Sequence, residues 1–135
     1  MNINKFTIKS QEALQQAQQI AQSFGQQQLE NEHIFRGILE VDENVTPFIL
    51  KKLNVNVELF KKVLDSTIQS FPKVSGGDIM FSREAGTTVN EAEIIAKKMN
   101  DEFVSIEHLI LAIFKSKSKV AQILKEQGVT EKGLQ

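Results

Sequence analysis

The stretch Glu32-His33-Ile34-Phe35-Arg36-Gly37-Ile38 returns 75 residues later as Glu107-His108-Leu109-Ile110-Leu111-Ala112-Ile113. Outward from it, the same spacing sets Phe6, Ala17, Ile20 and Ala21 on Phe81, Ala92, Ile95 and Ala96, with Leu29 on Val104. After one deletion the offset becomes 74, and Ile49, Leu50, Lys51 and Val55 fall on Ile123, Leu124, Lys125 and Val129. The chain is a tandem duplication. Because the apolar positions and both Glu-His dipeptides survive, two copies of one helical unit should pack with approximate two-fold symmetry and present two equivalent sites.

Each copy reads as four helices. Phe6, Ala13, Ala17, Ile20, Ala21 and Phe24 recur at helical spacing, and Gly25 stops the first helix. The nine glutamines from Gln11 to Gln28 interleave with that stripe and form its solvated face. Helix 2 starts near Glu30. Thr46 before Pro47 marks the start of helix 3, since proline at a first helical position lacks only an N–H that has no partner there. Asn56 caps helix 4, whose inward positions are Leu59, Phe60, Val63, Leu64 and Ile68. In the second copy Ser82 caps helix 5, with Val89, Ala92, Ile95, Ala96 and Met99 inward. Ser105 caps helix 6, apolar nearly all round from Ile106 to Phe114 and so buried, while Ser118 and Thr130 open helices 7 and 8. Helix 8 is expected to be cut short at Gln135. No useful strand alternation is present, so the expected fold is all-α: two pseudo-symmetric four-helix repeats forming one eight-helix domain. Repeat one spans 1–70, a Pro- and Gly-containing linker 71–80, and repeat two 81–135. Whether Val74, Ile79 and Met80 fold back on the core is open at this level.

Composition narrows the function classes. With 135 residues, 41% of them hydrophobic, the chain can form one real core. Sixteen Lys and Arg balance seventeen Asp and Glu, so no basic field for nucleic acid exists. No cysteine is present, which removes disulfides and thiolate metal sites. Neither a signal peptide nor a membrane-spanning run is visible, so the expected location is cytoplasmic, with no membrane partner.

The chemistry of catalysis is missing. The Gly76-Gly77 pair is followed by no helix-opening lysine, so no nucleotide should bind and no cofactor is expected in this chain. His33 and His108 cannot assemble a metal set and read as structural groups near helix starts. No hydroxyl has a base and an orienting acid, so no catalytic residue is proposed. Glu32 and Glu107 remain. Each lies in a first helical turn, where the N–H groups favour negative charge by about 0.3–1 kcal/mol. Paired with Thr7 and Ser82 respectively, they could instead offer an anion- and amide-binding site suited to a polypeptide.

Lys5-Phe-Thr7, Glu32-His33-Ile34, Glu107-His108-Leu109 and the eight-helix duplication resemble, across essentially the whole chain, the amino-terminal domain of the Clp unfoldases. Phe71-Pro-Lys-Val-Ser-Gly76 and Asp101-Glu-Phe-Val-Ser105 are most similar to the ClpB-type disaggregases. Ser82-Arg-Glu-Ala85 departs from the Pro-Arg-Ala-Lys usual in ClpC-type domains. The resemblance implies a mobile recognition domain tethered to ATPase rings in a hexamer, itself a monomer in isolation and not an enzyme. Its partners would be unfolded or aggregated polypeptides, and ATP would be bound by the rings of the longer protein. It further implies substrate-handling roles for Thr7, Asp101 and Glu107, and an apolar groove bordering helix 5 near Val89. Glu91 and His108 stand where many relatives have groove leucines. The alternative implied by the ClpC-like relatives is a receptor for adaptors or phosphoarginine, using Thr7/Glu32 and Ser82/Glu107.

Overall fold

Four helix ends share one device. After α1 (Ile8–Ser23), α3 (Val45–Lys52), α5 (Arg83–Lys98) and α7 (Lys119–Glu126), the chain turns through a left-handed residue: Gly25, Asn54, Asn100 and Gly128, with φ of 70°, 65°, 58° and 90°. Glycine and asparagine tolerate that region, and the N–H beyond each returns to a carbonyl of the last turn. In α1 Gln26 N–H reaches Ala21 O and in α5 Asp101 N–H reaches Ala96 O, both at 2.9 Å. The equivalent turns alternate Gly and Asn between the copies, so the duplication extends to the backbone.

The computed structural model describes residues 2–74 and 76–135, and within them the chain forms eight α-helices. The remaining four are α2 (Asn31–Val41), α4 (Val57–Gln69), α6 (Ile106–Lys115) and α8 (Glu131–Leu134). The fold is the all-α arrangement expected from the repeat. Side chains of Thr7, Asn56, Ser82, Ser118 and Thr130 accept the N–H bonds that open α1, α4, α5, α7 and α8. One start differs from expectation. α3 begins at Val45 rather than at Pro47, because the Asp42 carboxylate accepts the N–H groups of Asn44, Val45 and Thr46 at 3.1, 3.1 and 2.9 Å, and the Thr46 hydroxyl at 2.7 Å. Burial alone would raise the pKa of Asp42, but those donors hold it below the usual carboxylate value.

The copies are interlocked. Against the strand-free expectation, β1 (Gln28–Leu29) pairs in parallel with β2 (Met80–Phe81), and Phe6 bridges Val104 in the same sense. Thr7 N–H donates to Val104 O and Ser82 N–H to Leu29 O, both at 3.0 Å. Thus the segment entering the first helix of each copy pairs with the loop before the second helix of the other. Between α4 and β2, Phe71 and Ile79 are partly buried against the core, Val74 and Met80 are exposed, and Val74 N–H donates to Gly25 O.

Ala17 and Ala92 are fully buried, and every residue from Leu109 to Phe114 on α6 is buried. Three positions expected inward turn out instead: Leu59 and Val63 on α4, and Met99 at the end of α5. They lie on the edges of stripes whose centres, Phe60, Leu64 and Ile95, already reach the core.

Gly37 marks the tightest crossing. A Cβ there would lie 2.4 Å from Ala13 O and 3.0 Å from Ala17 N. Alanine in a helix ordinarily gains about 0.5–1 kcal/mol over glycine. At position 37 the backbone of α1 must give way, so Gly37→Ala should destabilise by roughly 1–3 kcal/mol. Gly86 on α5 has nothing within 4 Å of its Cβ site, and Gly86→Ala should stabilise by about 0.5–1 kcal/mol. Urea unfolding of the two variants gives opposite signs if the crossing is placed correctly.

Candidate functional site

The two histidines explain the retained Glu-His dipeptides. His33 Nδ1 accepts the Glu30 N–H at 2.8 Å, and His108 Nδ1 accepts the Ser105 N–H at 2.9 Å, closing a capping box at the start of α2 and of α6. The other ring nitrogen differs between copies. Nε2 of His33 meets Gln26 Oε1 at 2.7 Å, whereas Nε2 of His108 meets Asp101 Oδ2 at 2.8 Å. Gln26 and Asp101 occupy equivalent positions, one a buried amide and the other an exposed carboxylate.

The two glutamates are not equivalent either. Glu32 is buried, and its Oε2 accepts the Val120 N–H at 2.8 Å, capping α7 of the other copy. Burial raises its pKa most; the Val120 and Glu32 N–H groups oppose this, and Glu30 and Glu84 push it further up. Thr46, the counterpart of Val120, already donates to Asp42. Among the described residues Glu107 therefore caps no helix start of the other copy and is exposed, and Ser105 Oγ donates to its Oε2 at 3.5 Å.

A groove adjoins these second-copy residues, and Ile49 of the first copy completes its floor. Beside α5 and α6 lies a depression of about 630 Å³ with an apolar floor of Ile49, Ile95, Met99, Leu111 and Leu134. Glu91, Asp101, Glu107 and His108 stand around it, with Lys98 and Lys115 also on the rim. Of the six residues singled out from sequence, the structure brings Asp101 and Glu107 together here. Val89 points into the core at 3% exposed, so the α5 edge comes from Glu91, Ile95 and Met99 instead. Thr7 is half-buried and occupied, its Oγ1 accepting Ser10 N–H at 3.1 Å and donating to Ser10 Oγ at 2.9 Å. Ser82, also buried, accepts Ala85 N–H at 3.1 Å. The strand exchange sets Thr7 at the entry to α6 and Ser82 at the entry to α2, so each hydroxyl neighbours the opposite copy's glutamate-bearing helix rather than its own. Sequence spacing missed Ile95, Met99 and Leu111 as groove residues because burial and groove lining share one helical stripe.

Among the described residues, no group of three or more His, Cys, Asp and Glu side chains could hold a metal ion, and no helix is long and apolar enough to cross a membrane. The eight-helix duplication is the fold of a Clp-type N-terminal domain. Residues 5–127 match the model of the Clp repeat (R) N-terminal domain, and the chain belongs to that family. It is 51% identical over 134 residues to the chaperone protein ClpB of Bacteroides thetaiotaomicron and 39% identical over 135 residues to that of Porphyromonas gingivalis. These alignments cover 99% and 100% of this chain but only 16% of either relative. Among solved structures, the Hsp104 N-terminal domain from Candida albicans aligns with a TM-score of 0.85 at 19% identity, over 96% of this chain and 86% of that one. A ClpV N-domain in complex with VipB peptide aligns with a TM-score of 0.78 at 19% identity, over 98% and 83%.

Proposed function

We propose that this chain is the substrate-recognition domain of a ClpB-type chaperone and binds exposed apolar segments of unfolded or aggregated polypeptides in the groove beside α5 and α6. One observation carries the reading: an apolar floor open to solvent and edged by Glu91, Asp101 and Glu107. Apolar area removed from water supplies the affinity, at about 25 cal/mol per Å², and the carboxylates orient the ligand through its amides and basic side chains. The ClpB relatives, and the ClpV N-domain solved with a peptide, support polypeptide as the ligand class. ATP hydrolysis belongs, on this reading, to other modules of a hexameric protein.

Reduced, carboxamidomethylated lysozyme, which cannot refold, is the probe. Titrated into the chain, it should shift the amide resonances of Ile95, Met99 and Leu111 with a Kd of about 1 μM or weaker, and native lysozyme should not. Asp101→Lys and Glu107→Lys should each weaken binding about three- to tenfold without lowering the melting temperature by more than a few degrees. Moderate salt should leave most of the affinity. The phosphoarginine alternative has less support, because Glu32 is buried against Val120 and the Thr7 and Ser82 hydroxyls are engaged as caps. Complete displacement of the unfolded lysozyme by free phosphoarginine would reverse that preference.

A further inference from the structure

A second groove, of about 560 Å³, runs along α1 where β1 and β2 meet, and among the described residues none of the nine that line it is charged. Leu14 and Leu29 form its floor; Ile3, Met80 and Phe81 stand along it at 40%, 71% and 36% exposure. Gln11, Gln15 and Gln18, spaced as one face of α1, make its wall. The Gln11 amide is engaged, donating to Phe6 O at 2.9 Å, whereas Gln15 and Gln18 are exposed.

The duplication shows that the fold does not require this character. At the matching place on the second copy, a hollow is lined by Lys5, Asn90, Glu93, Asp101 and Glu102. Met80 corresponds to Lys5, Gln18 to Glu93 and Gln15 to Asn90. Charges are therefore tolerated at these positions, and one copy alone is free of them. Although β2 pairs through its backbone, most of the Met80 side chain lies in solvent beside this wall.

We infer that this α1 groove is a second polypeptide-binding site, selective for extended, uncharged apolar segments. A side chain of the Leu, Met or Phe class fills the space between Met80 and Leu14, and methionine adapts its shape to each. The Gln15 and Gln18 amides each supply a donor and an acceptor to the ligand's backbone. A charged ligand side chain would lose water here and find no opposite charge. The groove beside α5 and α6 carries Glu91, Asp101 and Glu107 with Lys98 and Lys115 on its rim, so a segment with charged side chains finds partners there and not along α1. The inference shares with the proposed function only the class of ligand.

The test uses an acetylated, amidated nonapeptide alternating Ser with Leu, Phe and Met, titrated into the 135-residue chain. Amide shifts should appear at Leu14, Gln15, Gln18, Leu29 and Met80. Met80→Asp should weaken the peptide at least about tenfold, Gln18→Glu should weaken it in the same direction, and Lys62→Glu, on the exposed face of α4 and lining neither groove, should leave it unchanged. Shifts confined to Ile95, Met99 and Leu111, no shifts at millimolar peptide, or indifference to Met80→Asp would overturn the inference. Unfolded lysozyme serves as the separate measure of the acidic groove: its failure to bind, with the neutral peptide still bound, sinks the proposed function and leaves this site standing.

Discussion

Ile113→Ala is expected to cost about 2–5 kcal/mol. Ile113 is fully buried, on the side of α6 away from the groove that Leu111 lines, so the removed methylenes leave a cavity. At roughly 4 °C of melting temperature per kcal/mol for a domain of this size, the transition should fall by about 8–20 °C. The converse change, Ala92→Leu, inserts methylenes where α5 crosses α6 and should cost about 1–3 kcal/mol. Calorimetry that finds both variants within a degree of the parent would show that these helices do not form the centre of the core.

Why the copies diverged follows from which helix start each glutamate meets. In the first copy Asp42 satisfies α3 from within its own repeat, through Thr46, Val45 and Asn44. At the corresponding end of α6 the second copy has Ser116, which accepts the Ser118 N–H, and Val120 N–H of α7 is served across the interface by Glu32. Glu107 is left at the surface. Exposed Asp101 stands beside His108 where the first copy has buried Gln26, and Glu91, Asp101 and Glu107 border an apolar floor. Equivalent positions thus serve the core in the first copy and edge the groove in the second.

That contrast marks what can be read from the chain and what cannot. Caps at Thr7, Asn56, Ser82, Ser118 and Thr130 are legible because a short polar side chain before an apolar stripe satisfies helix N–H groups locally. Pro47 misleads, because Asp42 captures the backbone one turn earlier. The exchange of Phe6 with Val104 and of Leu29 with Phe81 leaves no periodic trace, since two-residue pairings are too short for alternation and their partners lie far apart in sequence. The identical dipeptides at 32 and 107 promise equivalent sites. Only the tertiary partners distinguish a buried cap from an exposed groove acid.

Stability should drop by about 2–3 kcal/mol between pH 7 and pH 4.5 through His33 alone. Its imidazole is fully buried, and burial lowers its pKa from 6.5 to about 4. The bonds around it demand the neutral ring: Nδ1 accepts from Glu30 N–H, so the proton resides on Nε2 and is given to Gln26 Oε1, whose amide nitrogen in turn donates to Ile68 O at 2.6 Å. Protonating Nδ1 breaks the capping box at the start of α2. In the unfolded chain the same ring takes up its proton near pH 6.5, so the unfolded state binds more protons throughout the interval between about 4 and 6.5. The stabilisation is consequently complete above 6.5 and is lost as the pH falls toward 4. Glu32, with its raised pKa, acts in the opposite sense, and Asp42, with its lowered one, acts in the same sense at lower pH. His33→Gln separates these contributions, because glutamine at the third helical position retains an acceptor for the Glu30 N–H and does not titrate. Urea unfolding at pH 7 and pH 4.5 should show the variant losing about 2–3 kcal/mol less than the parent. Equal losses in the two proteins would mean that His33 is protonated in the fold, and that the acid sensitivity of the domain arises from its carboxylates.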